Sequence, residues 1–358
     1  MKRERAVIPT SRAIAMIFLA ILLGIVIGYF IPKSSSTPAP VPSPISSSVA
    51  SSVPSVIPPS SSPRTMIPPS PEGIGIMGDS NSDEYRANDN RGGDYAPTTL
   101  NWMEQLARNR ALNFGRWGKW GGVRRTGYEY NWARSGARAR SLITDGQHTG
   151  LAQQVAEGKV SLVFLWIGDN DFHLVNGTYK EIYSGQLSDR ELQAKIDQMI
   201  ADITTAVDTV LAAGPVKMVV VTISDKGAAP QAALLFPDAA KRKRVSDAID
   251  AVNTGIKELA VTRGITVVDI NSFAEVIIGR INKLGFLEVG DQRINGLVQG
   301  NEPHHLQLAD KSGHAGTVAS GLLANALFVE PFNNAYGIGI ELLTDEEILN
   351  NAGIHSSE

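Results

Sequence analysis

The sequence predicts an α/β domain of three layers, α/β/α, on a mainly parallel sheet, preceded by a transmembrane helix and a disordered Ser/Pro-rich linker. Three observations predict it. Short apolar runs alternate with long amphipathic helical patterns, as in a parallel sheet covered on both faces. Polar clusters follow two of those runs directly, where loops at the carboxyl ends of strands form sites. Ahead of all this, a charge-free segment and a Ser/Pro tract occupy residues 13–71.

Residues 1–12 are basic and are expected to be cytoplasmic. Residues 13–32 (AIAMIFLAILLGIVIGYFIP) carry no charge. Twenty residues of helix span about 30 Å, the thickness of a bilayer core. Lys2, Arg3, Arg5 and Arg12 precede the segment, so the positive-inside rule orients it as a single-pass signal anchor with the remainder extracytoplasmic. The alternative is secretion after signal cleavage, although Ile31-Pro32-Lys33-Ser34 is a poor cleavage site. Residues 33–71 form the linker. Within it, residues 34–71 hold 14 Ser and 11 Pro among 38 residues, with Arg64 the only charge. Such a stretch buries too little apolar surface to offset chain entropy.

The folded part is expected over 72–333, with a tail at 334–358. Gly73–Met77 reads as a buried first strand and residues 98–109 as a helix. Val160–Ile167 is the strongest buried strand. Ser188 and Glu191 make a capping box for a long helix whose apolar face carries Leu192, Ile196, Ile200, Ile203, Val207 and Val210, ending at Gly214-Pro215. Lys217–Ile223 is a further strand. A second long helix carries Val245, Ile249, Val252, Ile256 and Leu259 and stops at Gly264, before a strand at Ile265–Ile270. Thr344–Glu347 opens a short helix in the tail.

Composition narrows the function. With 358 residues, 43% of them hydrophobic, the chain can form one or two domains with a substantial core. The net charge is −3; residues 1–33 carry +4, which leaves −7 on the rest. A weakly acidic body without a basic stripe excludes a nucleic-acid partner. The absence of cysteine excludes disulfides, cysteine-ligated metal and a thiol nucleophile.

Four short motifs occur in fixed order: Gly78-Asp79-Ser80, Asn131 through Gly136, Gly168-Asp169-Asn170-Asp171, and His314-Ala315-Gly316-Thr317. Each alone reads as an ordinary turn or loop. Together they supply the parts of an acyl-transfer site. Ser80 follows the first strand, where a tight turn exposes its hydroxyl, but it needs a base to become a nucleophile. An amide such as Asn170 can donate to a developing oxyanion. His314 can take the serine proton and return it to the leaving alcohol. His304 and His305 are rival bases.

The order and spacing resemble the SGNH hydrolases, also called GDSL-type esterases, over roughly residues 72–330. The resemblance implies an SGNH/flavodoxin-like fold and a serine ester hydrolase. It implies Ser80 as nucleophile, His314 as base, and the N–H groups of Ser80 and Gly136 with the Asn170 amide as oxyanion hole. Asp79 and Asp171 are supporting residues, Asp171 by fixing its turn. No metal or organic cofactor is implied. Two departures stand out. Asn81 replaces the frequent leucine after the serine. Lys311 occupies the position three before the histidine where the family has its aspartate, while Asp310 lies four before. A one-residue bulge at Ser312-Gly313 would let Asp310 complete the triad; otherwise the site runs as a dyad.

Trp117, Trp120, Tyr128, Tyr130 and Trp132 cluster around Arg116, Arg124 and Arg125. Aromatic faces with arginines suit a sugar or extended acyl group, so Trp117, Trp120 and Trp132 are candidate substrate contacts, with core and rim packing as the other reading. The expected substrate is a carboxylic ester, with O-acetyl groups of polysaccharides as the candidate class. Two alternatives remain open: an acyltransferase using the same serine, and a non-catalytic surface carbohydrate-binding protein on the same fold.

Overall fold

A computed structural model describes residues 73–355, except 88 and 311. The basic N-terminus at 1–12, the expected membrane span at 13–32, the linker at 33–71 and Lys311 lie outside the described residues. Among the described residues no helix is long and apolar enough to cross a membrane.

The elements run β1 (Ile74–Gly78), α1 (Trp102–Arg110), β2 (Trp117–Lys119), β3 (Thr126–Tyr128), α2 (Gln147–Ala156), β4 (Leu162–Trp166), α3 (Asp189–Ala213) and β5 (Lys217–Val221). They continue α4 (Ala239–Arg263), β6 (Thr266–Val268), α5 (Ile270–Arg280), β7 (Phe286–Val289), β8 (Gln292–Asn295), α6 (Thr317–Leu323), α7 (Glu330–Tyr336) and α8 (Asp345–Asn351), with shorter helical turns between. The central sheet is parallel throughout, in the order β1-β4-β5-β6. The hairpins β2-β3 and β7-β8 are antiparallel and separate.

Side chains of a strand alternate between its faces, and both faces of this sheet are buried. Met77, Val163, Leu165 and Val220 pack under α2, α3 and α4. Ile74, Ile76, Phe164, Trp166 and Val221 pack under α1, α5, α6, α7, α8 and the β7-β8 hairpin. That is the expected three-layer arrangement.

Helix ends follow local chemistry. The Ser188–Glu191 capping box opens α3. Asp238 caps α4, which ends at Gly264 with φ +63°, a left-handed residue that glycine adopts without penalty. The helix expected at 98–109 begins later, at Trp102, because Asn101 and Glu104 form a capping box after a turn containing Pro97. The strand expected at 265–270 stops at Val268, because the Asp269 carboxylate accepts the Asn271 N–H and starts α5, a helix not anticipated.

The tail belongs to the fold. Helix α7 crosses the expected boundary at residue 333. Thr344 and Glu347 form the capping box of α8, and Ile348, Leu349 and Ile354 are buried against α1 and α6. Ile348 is fully buried, so Ile348→Ala is expected to cost about 2–5 kcal/mol. Urea unfolding checks this; a loss below about 1 kcal/mol would mean a loosely attached tail.

Candidate active site

The site lies at the carboxyl ends of β1 and β4. Gly78 ends β1 so close to β4 that a Cβ there would lie 2.4 Å from the Trp166 carbonyl oxygen. The Asp79 N–H donates to that same oxygen at 3.3 Å. Gln147 of α2 holds Gly78 from the other side, accepting its N–H at 2.9 Å and donating to its carbonyl at 3.0 Å. The chain then turns: the N–H groups of Ser82 and Asp83 both donate to the Asp79 carbonyl, and the Asn81 N–H donates to the Asp79 carboxylate. Ser80 rides on this turn, almost buried.

The segment after β3 runs beside β1. The Trp132 N–H donates to the Ile76 carbonyl at 2.8 Å and the Arg134 N–H to Gly78 at 3.1 Å. Asn131 donates to the Ser82 carbonyl and Asp83 accepts the Ser135 N–H at 2.7 Å. This lacing brings Gly136 to the cleft that Ser80 also lines. Gly136 has φ +81°, a conformation that needs glycine, although a Cβ there would meet nothing within 4 Å. Neither the Ser80 N–H nor the Gly136 N–H meets an acceptor among the described residues.

Asn170 follows β4. Its amide donates to the Ala137 carbonyl at 2.9 Å, which fixes its orientation. Asp171 accepts the Ala139 N–H at 2.9 Å, and burial pushes its carboxyl up to about 6. Both bonds tie the Asn170 turn to the Gly136 segment.

The Asp310–His314 segment closes the site. Asp310 Oδ1 accepts the backbone N–H groups of Ser312 and His314 at 3.0 and 3.2 Å. Its Oδ2 lies 2.7 Å from His314 Nδ1. Gly313, at φ +58°, absorbs the extra residue. Burial alone would raise the Asp310 carboxyl, but the His314 hydrogen bond and the Arg91 charge hold it well below the carboxylate range. Burial, aided by Arg91 and opposed by Asp310, holds the His314 imidazole below its ordinary value.

Ser80, Gly136, Asn170, Asp310 and His314 line one open cleft of about 580 Å³. A small cavity of about 30 Å³ adjoins it, bounded by Ser80, Asn170, His314, Trp166 and Leu323. His304 and His305 line neither space. Trp117, Trp120 and Trp132, the expected substrate contacts, line neither of them. Their arginine neighbours claim them for packing. Arg124 lies 4.9 Å over Trp120 and 4.2 Å over Trp132, and Arg86 lies 5.7 Å over Trp117. The Trp120 and Trp132 indoles donate to Gly127 and Gln154.

Several cleft residues were not anticipated. Arg91 donates to Asp310 at 2.7 Å and to Asp89 and Ser135 at 2.8 Å each. His173 Nδ1 accepts the Val175 and Asn176 N–H groups at 3.2 Å each, so its Nε2 carries the proton. Lys226, almost fully buried, lies 3.1 Å from Asp169, which also accepts from Asn81 and Ser224. No spacing marked these residues; only the third dimension assembles them.

Asp79 is fully buried, and burial together with the Asp169 charge raises its carboxyl well above the ordinary range. Its Oδ2 has no partner among the described residues. A carboxyl with a raised folded-state value favours folding in acid, and this contribution is lost as pH rises from the unfolded value near 3.8 through the folded one. Asp79→Asn removes that titration. Its stability relative to the natural protein is therefore expected to improve from about pH 4 to about pH 8. Denaturant unfolding at the two values checks this; a pH-independent difference would show that Asp79 is ionised throughout.

Comparison with known proteins adds three findings. A family model described as GDSL-like lipase/acylhydrolase matches residues 74–286. No curated protein sequence matches. Among solved structures, an extracellular lipase from Streptomyces rimosus is similar at 15% identity and a TM-score of 0.37, covering 74% of this chain and 99% of that one. A phospholipase A1 from Streptomyces albidoflavus NA297 is similar at 17% identity and a TM-score of 0.39, covering 74% and 100%. An acetylxylan esterase from Geobacillus stearothermophilus is similar at 15% identity and a TM-score of 0.41, covering 77% and 98%.

Proposed function

The chain belongs to the GDSL-like lipase/acylhydrolase family, the SGNH hydrolases, and on that premise we propose that Ser80, His314 and Asp310 are its catalytic triad and short acyl esters of polar alcohols its substrates. The protein is a carboxylic ester hydrolase. The observation that carries the triad reading is the convergence of Ser80, Gly136, Asn170, Asp310 and His314 on one cleft.

The proposed cycle begins with Nδ1–H of His314 donating to Asp310, which leaves the Nε2 lone pair to take the Ser80 proton. Ser80 Oγ attacks the ester carbonyl carbon. The N–H groups of Ser80 and Gly136 and the Asn170 amide meet the oxyanion. The intermediate collapses as His314 returns the proton to the departing alcohol, leaving an acyl-Ser80. Water, deprotonated by His314, then releases the acid and restores Ser80.

Substrate class is argued from shape. The cavity of about 30 Å³ beside Ser80 has room for about two water-sized groups, which suits a short acyl chain. The open cleft presents Asp89, Asn90, Asn176, Asn301 and Asp310, which suit a hydroxylated alcohol. An O-acetyl group on a polysaccharide fits both requirements. The charge-free segment 13–32 and the Ser/Pro tract after it support an uncleaved anchor and stalk holding the domain outside the cytoplasmic membrane.

The test uses the full-length protein. A fluorophosphonate is expected to label Ser80, and Ser80→Ala and His314→Ala to lose both labelling and turnover. Asp310→Asn is expected to lower kcat by up to about 10⁴-fold. Acetate release from acetylated xylooligosaccharide is expected to exceed hydrolysis of a decanoyl ester. A natural protein that resists the label and hydrolyses neither ester would overturn the reading. Acyl groups appearing on added sugar, with little free acid, would make it a transferase.

A further inference from the structure

Arg91 reaches both halves of the site. Its Nη1 lies 2.7 Å from Asp310 Oδ2 and 2.5 Å from His314 Nδ1. Its Nη2 donates to the Ser135 hydroxyl, next to Gly136, and to Asp89. Asp89 in turn accepts the Ser135 hydroxyl. The side chain is only 10% exposed, and its guanidinium lies 5.2 Å over the Tyr85 ring. The Arg91 N–H donates to the Tyr85 carbonyl, so the backbone under the side chain is fixed as well.

We propose that Arg91 is a positioning residue that ties the base to the segment carrying the Gly136 donor and, through its charge, sets how far into acid the enzyme works. The proposal rests on the triad reading of Ser80, His314 and Asp310. Two features make the assignment. First, the planar guanidinium bonds two segments at once from its two terminal nitrogens. The segments come from distant parts of the chain, residues 135–136 and 310–314, and are held to a common frame. A lysine ammonium at that place carries the charge but lacks the fixed fork.

Second, the position of the charge decides the proton on His314. Arg91 Nη1 donates to the same Asp310 oxygen that faces Nδ1, and it lies close to the ring itself. A cation there opposes a second charge on the imidazole. The other groups facing His314 are Asp310 on its own segment, Asp89 and Tyr85 from the loop after β1, His173 from the loop after β4, and Lys226 across the small cavity. Asp310 and Asp89 favour the imidazolium; Arg91 and burial oppose it. Sign follows directly. Removing the Arg91 charge lets His314 protonate at higher pH, and a protonated base cannot accept the Ser80 proton.

The experiment compares full-length natural protein with Arg91→Gln and Arg91→Lys, reading kcat and KM for 4-nitrophenyl acetate across pH, with fluorophosphonate labelling alongside. Arg91→Gln removes charge and fork. Its kcat is expected to fall by up to about 10²-fold with KM nearly unchanged. Its rate at about pH 5, relative to about pH 8, is expected to drop below the natural ratio. Arg91→Lys keeps the charge, so the natural ratio is expected to persist while kcat still falls by about tenfold. Guanidinium ion added at a non-denaturing concentration to Arg91→Ala is expected to restore part of the rate. A natural kcat and acid limb in Arg91→Gln, or a natural kcat in Arg91→Lys, would overturn the proposal. So would a rise in KM with kcat intact, which marks a substrate contact. These results leave the triad reading standing if the natural protein is labelled at Ser80. If it is not labelled, the triad reading and the role of Arg91 fall together.

Discussion

The site depends on how closely β1 and β4 approach at their carboxyl ends. Parallel strands set neighbouring loops side by side only if both strands stop in register, and Gly78 pairs with Trp166 at that limit. No side chain fits at Gly78, because its Cβ position lies against the Trp166 carbonyl. The Asp79 N–H continues the ladder by one bond and the chain then turns away, carrying Ser80. The loop after β4 leaves at the same level, carrying Asn170. The Gly78 carbonyl accepts from both Arg134 and Gln147, which draws the Gly136 segment and α2 to the same point. One close backbone contact thus sets the relative height of Ser80, Gly136 and Asn170 along the cleft, the three groups of the proposed oxyanion hole.

Around that contact the protein buries four carboxyl groups. Asp79, Asp83, Glu84 and Glu104 are all nearly or fully inaccessible, and burial raises each carboxyl. Glu84 is pushed up to about 8, so it is mostly neutral at pH 7. Asp83 bonds Arg125, Arg134 and the Ser135 N–H; Glu84 accepts the Tyr128 N–H; Glu104 caps α1 and bonds Arg86. Buried charge is a poor source of stability, since desolvation cancels much of the attraction. What these bonds supply is position. They pin the loop after β1 to the β2-β3 hairpin and to α1. The arginine–aromatic stacks at Trp120 and Trp132 belong to the same scaffold.

Much of this was legible in the sequence, for identifiable reasons. Buried parallel strands read as unbroken apolar runs, so β1, β4 and β5 stood out. The two long helices declared themselves by apolar spacing and by the caps at Ser188, Gly214 and Gly264. The four motifs were legible because their chemistry is local: a turn glycine, an amide, an imidazole before an Ala/Leu-rich helix. Arg91, His173 and Lys226 were not, because a residue whose role comes from distant partners leaves no periodic trace. Helix α5 was missed because one aspartate, Asp269, ends a strand and caps a helix at once. Proximity of tryptophans and arginines along the chain foretold their company, but not that they would lie outside the cleft.

Asp310 stands four residues before His314, and its carboxylate nonetheless reaches the imidazole. A carboxylate has two oxygens, and here they are divided between two tasks. Oδ1 accepts from the Ser312 and His314 backbone N–H groups, which holds both residues close around the side chain. Gly313, between them, takes a left-handed conformation. Oδ2 is thereby aimed at the imidazole Nδ1 and accepts from Arg91 as well. Four donors on one carboxylate keep it ionised throughout the range in which histidine titrates. On the proposed triad reading, an ionised Asp310 favours the Nδ1–H tautomer, the one that leaves Nε2 free for the Ser80 proton. The proposed triad therefore does not require the three-residue spacing: the bond to Nδ1 is made from one residue farther back in the chain.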